Sequence, residues 1–231
     1  MTRVARTAPS KPGLMLLPGW NEDPVRSSED LRLFAGMGLA CASVAFPEAQ
    51  SAAPGRDTLR HNLAAVLKRY DELAARPGVD RGAVAVVGTS YGGYLGAILT
   101  TFRRVDWLVL RAPAIYADED WDTPKEMLDK ADMARYRQLP LNPSDNKALT
   151  AAARFSGDVL IVASECDDVV PEPVVSNFLS AFGSSRTVSH RILPGADHAL
   201  SKMRWRKAYH RLARTWLQDA MASQAPRKPA A

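Results

Sequence analysis

Short apolar runs alternate along the chain with longer segments of helical periodicity. All but the last of the runs are almost continuously apolar, as expected for parallel strands that are covered on both faces. The runs occupy residues 13–18, 39–46, 83–88, 107–112, 158–163 and 187–193. Strands and helices in alternation indicate βαβ units, and right-handed crossovers then build a doubly wound sheet. The pattern therefore predicts an α/β fold with a mostly parallel six-stranded sheet and helices on both faces.

Several helical segments carry signals that mark their ends. The segment after the first strand has a Ser-x-x-Asp capping pattern at Ser27 and Asp30, which predicts a helix that begins there and closes on glycines. The next segment carries one apolar stripe and is stopped by Pro77 and Gly78. Further helical patterns follow the third, fifth and sixth strands, at about 91–102, 172–182 and 198–222.

Only residues 113–157 do not fit a single crossover. This segment is predicted to form two short helices and loops above the carboxyl ends of the strands, where α/β proteins bind ligands. We therefore expect one domain over residues 1–231 with a small lid-like insertion at 113–157. Residues 223–231 are expected to form a disordered tail.

Composition narrows the class of protein without changing this architecture. A chain of 231 residues with 46% hydrophobic content suits one globular domain. No stretch approaches the ~20 consecutive apolar residues of a membrane span, and the basic N-terminal residues lack the apolar core of a secretory signal. The two cysteines, Cys41 and Cys166, provide neither a disulfide framework nor a metal-binding spacing. We expect a cytoplasmic protein with no metal, no cofactor and no membrane partner.

The net charge of +5 raises the question of a nucleic-acid partner. Much of the excess lies in the last helical segment, where apolar residues from Met203 to Leu217 recur at helical spacing. The cations can then share the outer, solvated face of that helix: Lys202, Arg204, Arg206, Lys207, Arg211 and Arg214. We therefore expect no binding to nucleic acid, although this face could attract anionic ligands.

The sequence "GTSYG" at residues 88–92 fits the pattern Gly-x-Ser-x-Gly. A glycine two residues either side of Ser90 is needed where a strand reverses into a helix so tightly that a Cβ atom would clash. An ordinary glycine-rich turn between two core elements is the alternative. The context favours a nucleophile, because an apolar strand stops at Gly88 and a helix opens at Tyr91.

A serine hydroxyl becomes a good nucleophile when a base accepts its proton and a third group orients that base. The chain has four histidines, of which three fall inside predicted helices or strands: His61, His190 and His210. His198 instead lies in a glycine-containing loop after the last strand, at the same end of the sheet as Ser90. His198 is therefore the candidate base.

The candidate acid is one of two adjacent aspartates. Asp167 and Asp168 follow the fifth strand directly and so also lie at the end of the sheet where Ser90 is expected. Neighbouring side chains in such a loop generally point in different directions, so that only one of them can orient the histidine. The other would cap the turn or face solvent.

These motifs resemble those of α/β-hydrolase fold enzymes. "GTSYGGY" and the preceding "RPGVDRGAVAVVG" are similar to the corresponding segments of prolyl-oligopeptidase-type peptidases, acylaminoacyl peptidases and dienelactone-hydrolase-like esterases. The resemblance covers nearly the whole chain. In these families the acid loop resembles "SECDDVVP", which assigns the acid to Asp167, and a Gly-x-x-His loop assigns the base to His198.

The resemblance also implies an oxyanion hole and shows two departures. The backbone N–H groups of Trp20 and Tyr91 would bind the oxyanion, but Pro18 stands where the family usually has histidine. The family sheet commonly has eight strands, whereas six are predicted here, starting at the equivalent of the third. Nothing in the sequence resembles the β-propeller that restricts prolyl oligopeptidases to peptides.

The function predicted from these residues is that of a serine hydrolase acting on small carboxylic esters through an acyl-enzyme. The alternatives are a peptidase or amidase of the acylaminoacyl-peptidase type and a non-catalytic binding protein with a hydrolase fold. Tyr116 and Trp121 are candidates for the wall of an acyl pocket, and the acidic residues at 118–122 are predicted to form a solvated edge of the insertion. The expected partners are a small acyl substrate and water, and the chain is expected to be a monomer or a homodimer.

Overall fold

Six parallel strands form one sheet in the order β2-β1-β3-β4-β5-β6. The computed structural model describes residues 10–20, 22–46 and 58–224. The strands are β1 (Lys11–Leu17), β2 (Ala40–Ser43), β3 (Val79–Thr89), β4 (Trp107–Arg111), β5 (Asp158–Cys166) and β6 (Thr187–Asp197). All five strand pairs in the described residues are parallel. The predicted doubly wound α/β fold is confirmed.

Helices cover both faces of this sheet. They are α1 (Pro24–Ala35), α2 (Leu59–Ala74), α3 (Tyr91–Leu99), α4 (Lys130–Tyr136), α5 (Lys147–Arg154), α6 (Glu172–Ala181) and α7 (Met203–Gln224). Successive side chains of β1 enter opposite cores, with Met15 and Leu17 packed in the core that α2, α3, α5 and α6 cover. Leu14 and Leu16 pack in the second core with residues of α1 and α7. This alternation explains why the central strands are apolar at almost every position.

The first helix begins earlier than the capping pattern predicts. α1 starts at Pro24, and the Asp23 carboxylate accepts a hydrogen bond from the amide of Val25 at 2.9 Å. An aspartate N-cap followed by proline at the first helical position is a stronger start signal than the pattern at Ser27, because proline already has helical φ and needs no hydrogen-bond acceptor. Ser27 therefore lies inside the helix.

The last helix also differs from its prediction. The buried side chains of α7 recur every four residues, and they are Trp205, Tyr209, Ala213 and Leu217. Met203, expected to be apolar core, is 53% exposed, and Arg206, expected on the solvated face, is partly buried and lines a cavity. Residues 223 and 224 of the predicted tail end α7, and the rest of that tail lies outside the described residues. None of the described helices has the length and apolar character required to cross a bilayer.

The insertion at residues 113–157 contains α4, α5 and three short 3-10 helices. The buried side chain of Asn146 connects its two ends, since its amide donates hydrogen bonds to Tyr116 O at 2.7 Å and to the Tyr136 hydroxyl at 3.1 Å. A second contact joins Lys147 to Asp118, through the backbone amide at 3.1 Å and the ammonium at 3.2 Å. These bonds tie the start of α5 to the segment that follows β4.

Close backbone packing fixes the turn between β3 and α3. A Cβ atom on Gly88 would lie 2.6 Å from the carbonyl oxygen of Gly92. A Cβ atom on Gly92 would lie 2.1 Å from Leu17 O and 2.5 Å from Pro18 O. Real Cβ atoms do not approach backbone oxygens this closely, so glycine is required at both positions. The first turn of α3 therefore presses directly on the end of β1.

Replacing Gly92 by alanine tests this packing. We expect Gly92→Ala to lower the free energy of unfolding by about 3 kcal/mol or more, because two backbone carbonyls must move to admit one methyl group. Gly183→Ala is the matched control, because a Cβ atom there meets nothing within 4 Å. Urea denaturation of both variants measures the difference. Equal stability of the two variants would contradict the proposed close contact.

Candidate active site

Ser90 occupies a strained corner between the end of β3 and the start of α3. Its backbone has φ 50° and ψ −111°, in a region that residues with a side chain rarely adopt. Three backbone hydrogen bonds hold this conformation. Ser90 N donates to Arg111 O at 2.9 Å, and Ser90 O accepts from Tyr94 N at 3.1 Å and from Ala114 N at 3.0 Å. The serine is therefore anchored to both β4 and α3.

Backbone strain in the described residues is concentrated around this corner. Besides Ser90, two other non-glycine residues have positive φ, Ala112 at 40° and Leu200 at 47°. Ala112 follows the last residue of β4, and Leu200 lies two residues beyond His198. Strained residues persist where the surrounding structure forces them and often cluster at functional sites.

His198 lies between Ser90 and Asp167. Its Nε2 is 3.1 Å from Ser90 Oγ, and its Nδ1 is 2.8 and 2.9 Å from the two carboxylate oxygens of Asp167. The side chains of His198 and Asp167 are 16% and 5% exposed. The three residues proposed from the sequence therefore form one continuous hydrogen-bonded line.

The pairing of β5 with β6 brings the acid and the histidine together. A register shift between Ser164 and Cys166 leaves Cys166 directly opposite Asp197. The next residue along each strand is Asp167 on one side and His198 on the other. The extra residues of β6 at this step, 194–196, therefore set these two side chains next to each other, as bulges near functional sites often do.

Asp167, and not Asp168, contacts the histidine. Its Oδ1 also accepts hydrogen bonds from the backbone amides of Val169 at 3.0 Å and Val170 at 2.7 Å. Burial by itself raises the pKa of Asp167, but the hydrogen bonds from His198 and from the two amides outweigh burial and hold its pKa below the usual value. Asp168 is exposed, and the turn cap considered for Asp168 is provided by Asp167.

Trp20, in the loop after β1, and Tyr91, the first residue of α3, lie next to each other beside Ser90. Their rings are in edge contact, with centroids 5.1 Å apart. The loop after β1 is held by Glu22, whose carboxylate accepts a hydrogen bond from Gly19 N at 2.6 Å. Because Pro18 O packs on the first turn of α3, the backbone of Trp20 is brought close to the start of that helix.

A cavity of about 460 Å³ opens in front of Ser90 and His198. Trp20 and Tyr116 form part of its wall, as expected for Tyr116 from the sequence. Trp121 does not line the cavity, which corrects its assignment to the acyl pocket. Its side chain packs in the core that α2, α3, α5 and α6 cover, where it is 9% exposed and the Lys147 ammonium lies 5.3 Å from its ring centroid.

The acidic residues at 118–122 form contacts on the surface of the insertion. Asp122 pairs with Arg60 through two hydrogen bonds of 2.5 and 2.9 Å, and both side chains are 66% exposed. Asp118 is engaged by Lys147. None of these acidic side chains lines the cavity in front of Ser90. Glu119 and Asp122 are exposed, whereas Asp118 and Asp120 are partly buried.

The cavity also has charged walls that the sequence analysis missed. Arg111, at the end of β4, is 5% exposed, and within the described residues its Nη1 has no hydrogen-bond partner. Burial lowers the pKa of Arg111 and raises that of Glu22, which lines the same cavity. An arginine inside the apolar run at residues 107–112 was a visible signal for such a site. Lys125 and Arg137 line the cavity as well, and no motif identified them.

Metal-ligating side chains do not cluster in this site. Within the described ranges, no three histidine, cysteine, aspartate or glutamate side chains are placed to hold one metal ion. The polar groups nearest Ser90 are instead a histidine, its carboxylate partner and backbone amides. Such an arrangement is suited to nucleophilic attack on a carbonyl carbon.

Solved structures with the same architecture include several hydrolases. One of the metagenome-derived lipolytic enzymes LipS and LipT superposes with a TM-score of 0.69 at 15% identity, over 92% of this chain and 96% of that chain. A monoacylglycerol lipase from Paleococcus ferrophilus has a TM-score of 0.65 at 17% identity, over 92% and 97%. A dienelactone hydrolase from Anabaena variabilis has a TM-score of 0.61 at 16% identity, over 91% and 87%. At these identities the likeness establishes the α/β-hydrolase fold.

Sequence comparison establishes the family. No curated protein matches the chain. The model of the prolyl oligopeptidase family, however, matches residues 36–224, which include β2 to β6 and the three residues of the hydrogen-bonded line. The chain therefore belongs to the prolyl oligopeptidase family of α/β hydrolases.

Proposed function

We propose that this protein hydrolyses small carboxylic esters, with Ser90, His198 and Asp167 as the catalytic triad. The observation that carries the proposal is the unbroken series of contacts from Ser90 Oγ through both ring nitrogens of His198 to the Asp167 carboxylate. The strained backbone of Ser90 supports the same role, since it presents the hydroxyl group at the tip of a tight turn.

The reaction proceeds through an acyl-enzyme. Ser90 Oγ attacks the carbonyl carbon while His198 Nε2 accepts its proton, and Asp167 stabilises the resulting imidazolium through Nδ1. The C–O bond to the alcohol then breaks, and His198 returns the proton to the departing oxygen. Water, deprotonated by His198 in its turn, attacks the acyl-enzyme and releases the carboxylic acid and free Ser90.

The backbone N–H groups of Trp20 and Tyr91 are proposed to bind the oxyanion of each tetrahedral intermediate. Each such donor is typically worth about 2.7–4 kcal/mol in the transition state. Pro18 replaces the histidine usual in relatives but leaves this function possible, because both donors are backbone groups. The contact between Pro18 O and α3 supports a fixed position for the loop that carries Trp20.

Family membership favours a second candidate function, cleavage of peptide or amide bonds. The same triad would act on an amide, with His198 protonating the departing amine. Esters remain the first choice because the insertion leaves a cavity of about 460 Å³, which suits a small acyl group. The aromatic rings of Trp20 and Tyr116 in its wall also favour an apolar acyl chain.

The nucleophile is tested by covalent labelling. We expect a fluorophosphonate probe to label the wild-type protein and not Ser90→Ala, with turnover falling by up to about 10⁶-fold in that variant. Ser180→Ala, which removes an exposed serine on α6, should label normally. Intact-protein mass spectrometry measures the adduct. Undiminished labelling of Ser90→Ala would exclude Ser90 as the nucleophile.

The orienting acid is tested by comparing two adjacent substitutions. Asp167→Asn should lower kcat by up to about 10⁴-fold, because an amide favours the wrong imidazole tautomer. Asp168→Asn should cost less than about tenfold, or about 1.4 kcal/mol of barrier, because its side chain faces solvent. Both are measured on one ester near neutral pH after circular dichroism shows that each is folded. A larger loss in Asp168→Asn would contradict the assignment.

The choice between esters and amides is tested by substrate profiling. We expect higher kcat/KM for 4-nitrophenyl esters of short acyl chains than for aminoacyl-4-nitroanilides, because the cavity suits a small acyl group. Ser90→Ala provides the background rate for both series. Faster cleavage of the anilides by the wild-type protein would favour the peptidase function instead.

A further inference from the structure

A lysine of the insertion occupies an aromatic cage beside the candidate nucleophile. The ammonium of Lys125 lies 5.0 Å from the ring centroid of Trp20, 5.1 Å from that of Tyr116 and 5.6 Å from that of Tyr91. Lys125 lines the cavity that contains Ser90. Burial, together with the positive charge of Arg137, lowers the pKa of Lys125 to about 8, so that the ammonium is still mostly charged at neutral pH.

Arg137 adds a second positive charge to the same wall. It is 7% exposed and lines the cavity, and its guanidinium lies 5.4 Å from the ring centroid of Tyr116. Its Nη1 donates a hydrogen bond to Val169 O at 2.9 Å, which fixes its position. The two cations are thus held near each other, Lys125 by aromatic faces and Arg137 by backbone carbonyl oxygens.

No carboxylate of the described residues pairs with either of these two cations. The carboxylates that line the cavity have other partners. Glu22 accepts from Gly19 N, Asp23 accepts from Val25 N, and Asp30 pairs with His210 at 2.7 Å. Two partly desolvated cations facing one cavity without a counter-ion favour the binding of an anion.

We propose that Lys125 and Arg137 bind a carboxylate at the far end of the acyl group, so that the preferred substrates are esters of dicarboxylic half-acids. This inference rests on the proposed ester hydrolysis at Ser90 and names its substrate class. Met133 and Val169, which also line the cavity, together with the ring of Trp20, provide apolar contacts for the methylene groups between the two carbonyl carbons.

A cationic substrate is the alternative to an anionic one, since three aromatic rings can also surround a quaternary ammonium group. Such a group would have to displace the Lys125 ammonium and then lie close to the charge of Arg137. A carboxylate instead enters with both cations in place and forms charge-assisted hydrogen bonds to them. The arrangement therefore favours the anion.

Matched substrates test this inference. The probes are the mono-4-nitrophenyl ester of adipic acid and its adipamate analogue, whose terminal amide has the same shape without the charge. We expect kcat/KM to be at least about tenfold higher for the carboxylate, the usual size of one charge-assisted contact. Lys125→Met should lower this ratio but not abolish it, because Arg137 remains, and Lys125→Arg should retain most of it. Lys147→Met is the control, because Lys147 lies over Trp121 outside the cavity, and it should keep the wild-type ratio.

The inference would be overturned if the wild-type ratio of kcat/KM, carboxylate ester over amide ester, were near or below one. It would also be overturned if this ratio were undiminished in Lys125→Met, or if the 6-(trimethylammonio)hexanoate ester were cleaved faster than the carboxylate ester. Absence of turnover on every ester would instead refute the proposed hydrolysis. Titration calorimetry of Ser90→Ala with monomethyl adipate and methyl adipamate tests the anion site separately from turnover. Tighter binding of the carboxylate, reduced in the double variant with Lys125→Met, supports the site, and equal affinity excludes it.

Discussion

The direct contact between the first turn of α3 and the end of β1 is the constraint on which the candidate site depends. Gly92 lies so close to Leu17 O and Pro18 O that no side chain fits between them. The chain can therefore reverse within one residue after β3, and Ser90 takes up a positive φ at the tip of the turn. The same contact brings the loop that carries Trp20 to the N-terminus of α3.

Parallel strand pairing supplies the rest of the site from distant parts of the chain. β3, β5 and β6 end at the same edge of the sheet, which brings Ser90, Asp167 and His198 together although they are far apart in sequence. The pairing of β5 with β6 is fixed at its other end by buried Asp158, which accepts hydrogen bonds from the side chains of the consecutive residues Arg186 and Thr187. With that end fixed, the register shift before Cys166 determines which aspartate faces the histidine.

The insertion determines the charge of the cavity in front of Ser90. It places Lys125 and Arg137 over a wall of aromatic rings, and the bonds of Asn146 keep its two ends together. Burial of positive charge against aromatic faces is tolerated because the ring quadrupoles partly replace the lost hydration. The acyl side of the cavity is therefore both apolar and positively charged, a combination that suits a ligand with an apolar body and an anionic end.

The sequence by itself determined the fold, Ser90 and His198, and it limited the acid to Asp167 or Asp168, of which the family resemblance selected Asp167. Continuous apolar runs identify buried parallel strands, and Gly88 and Gly92 identify a turn that tolerates no Cβ atom; both are local properties of the chain. Only the tertiary structure decided that Arg206 turns inward and that Trp121 lies in the core. The tertiary structure alone also brought Lys125 to the aromatic rings, because a single lysine in an irregular segment carries no periodicity. Its neighbours there come from three other segments of the chain, and their meeting depends on packing between elements.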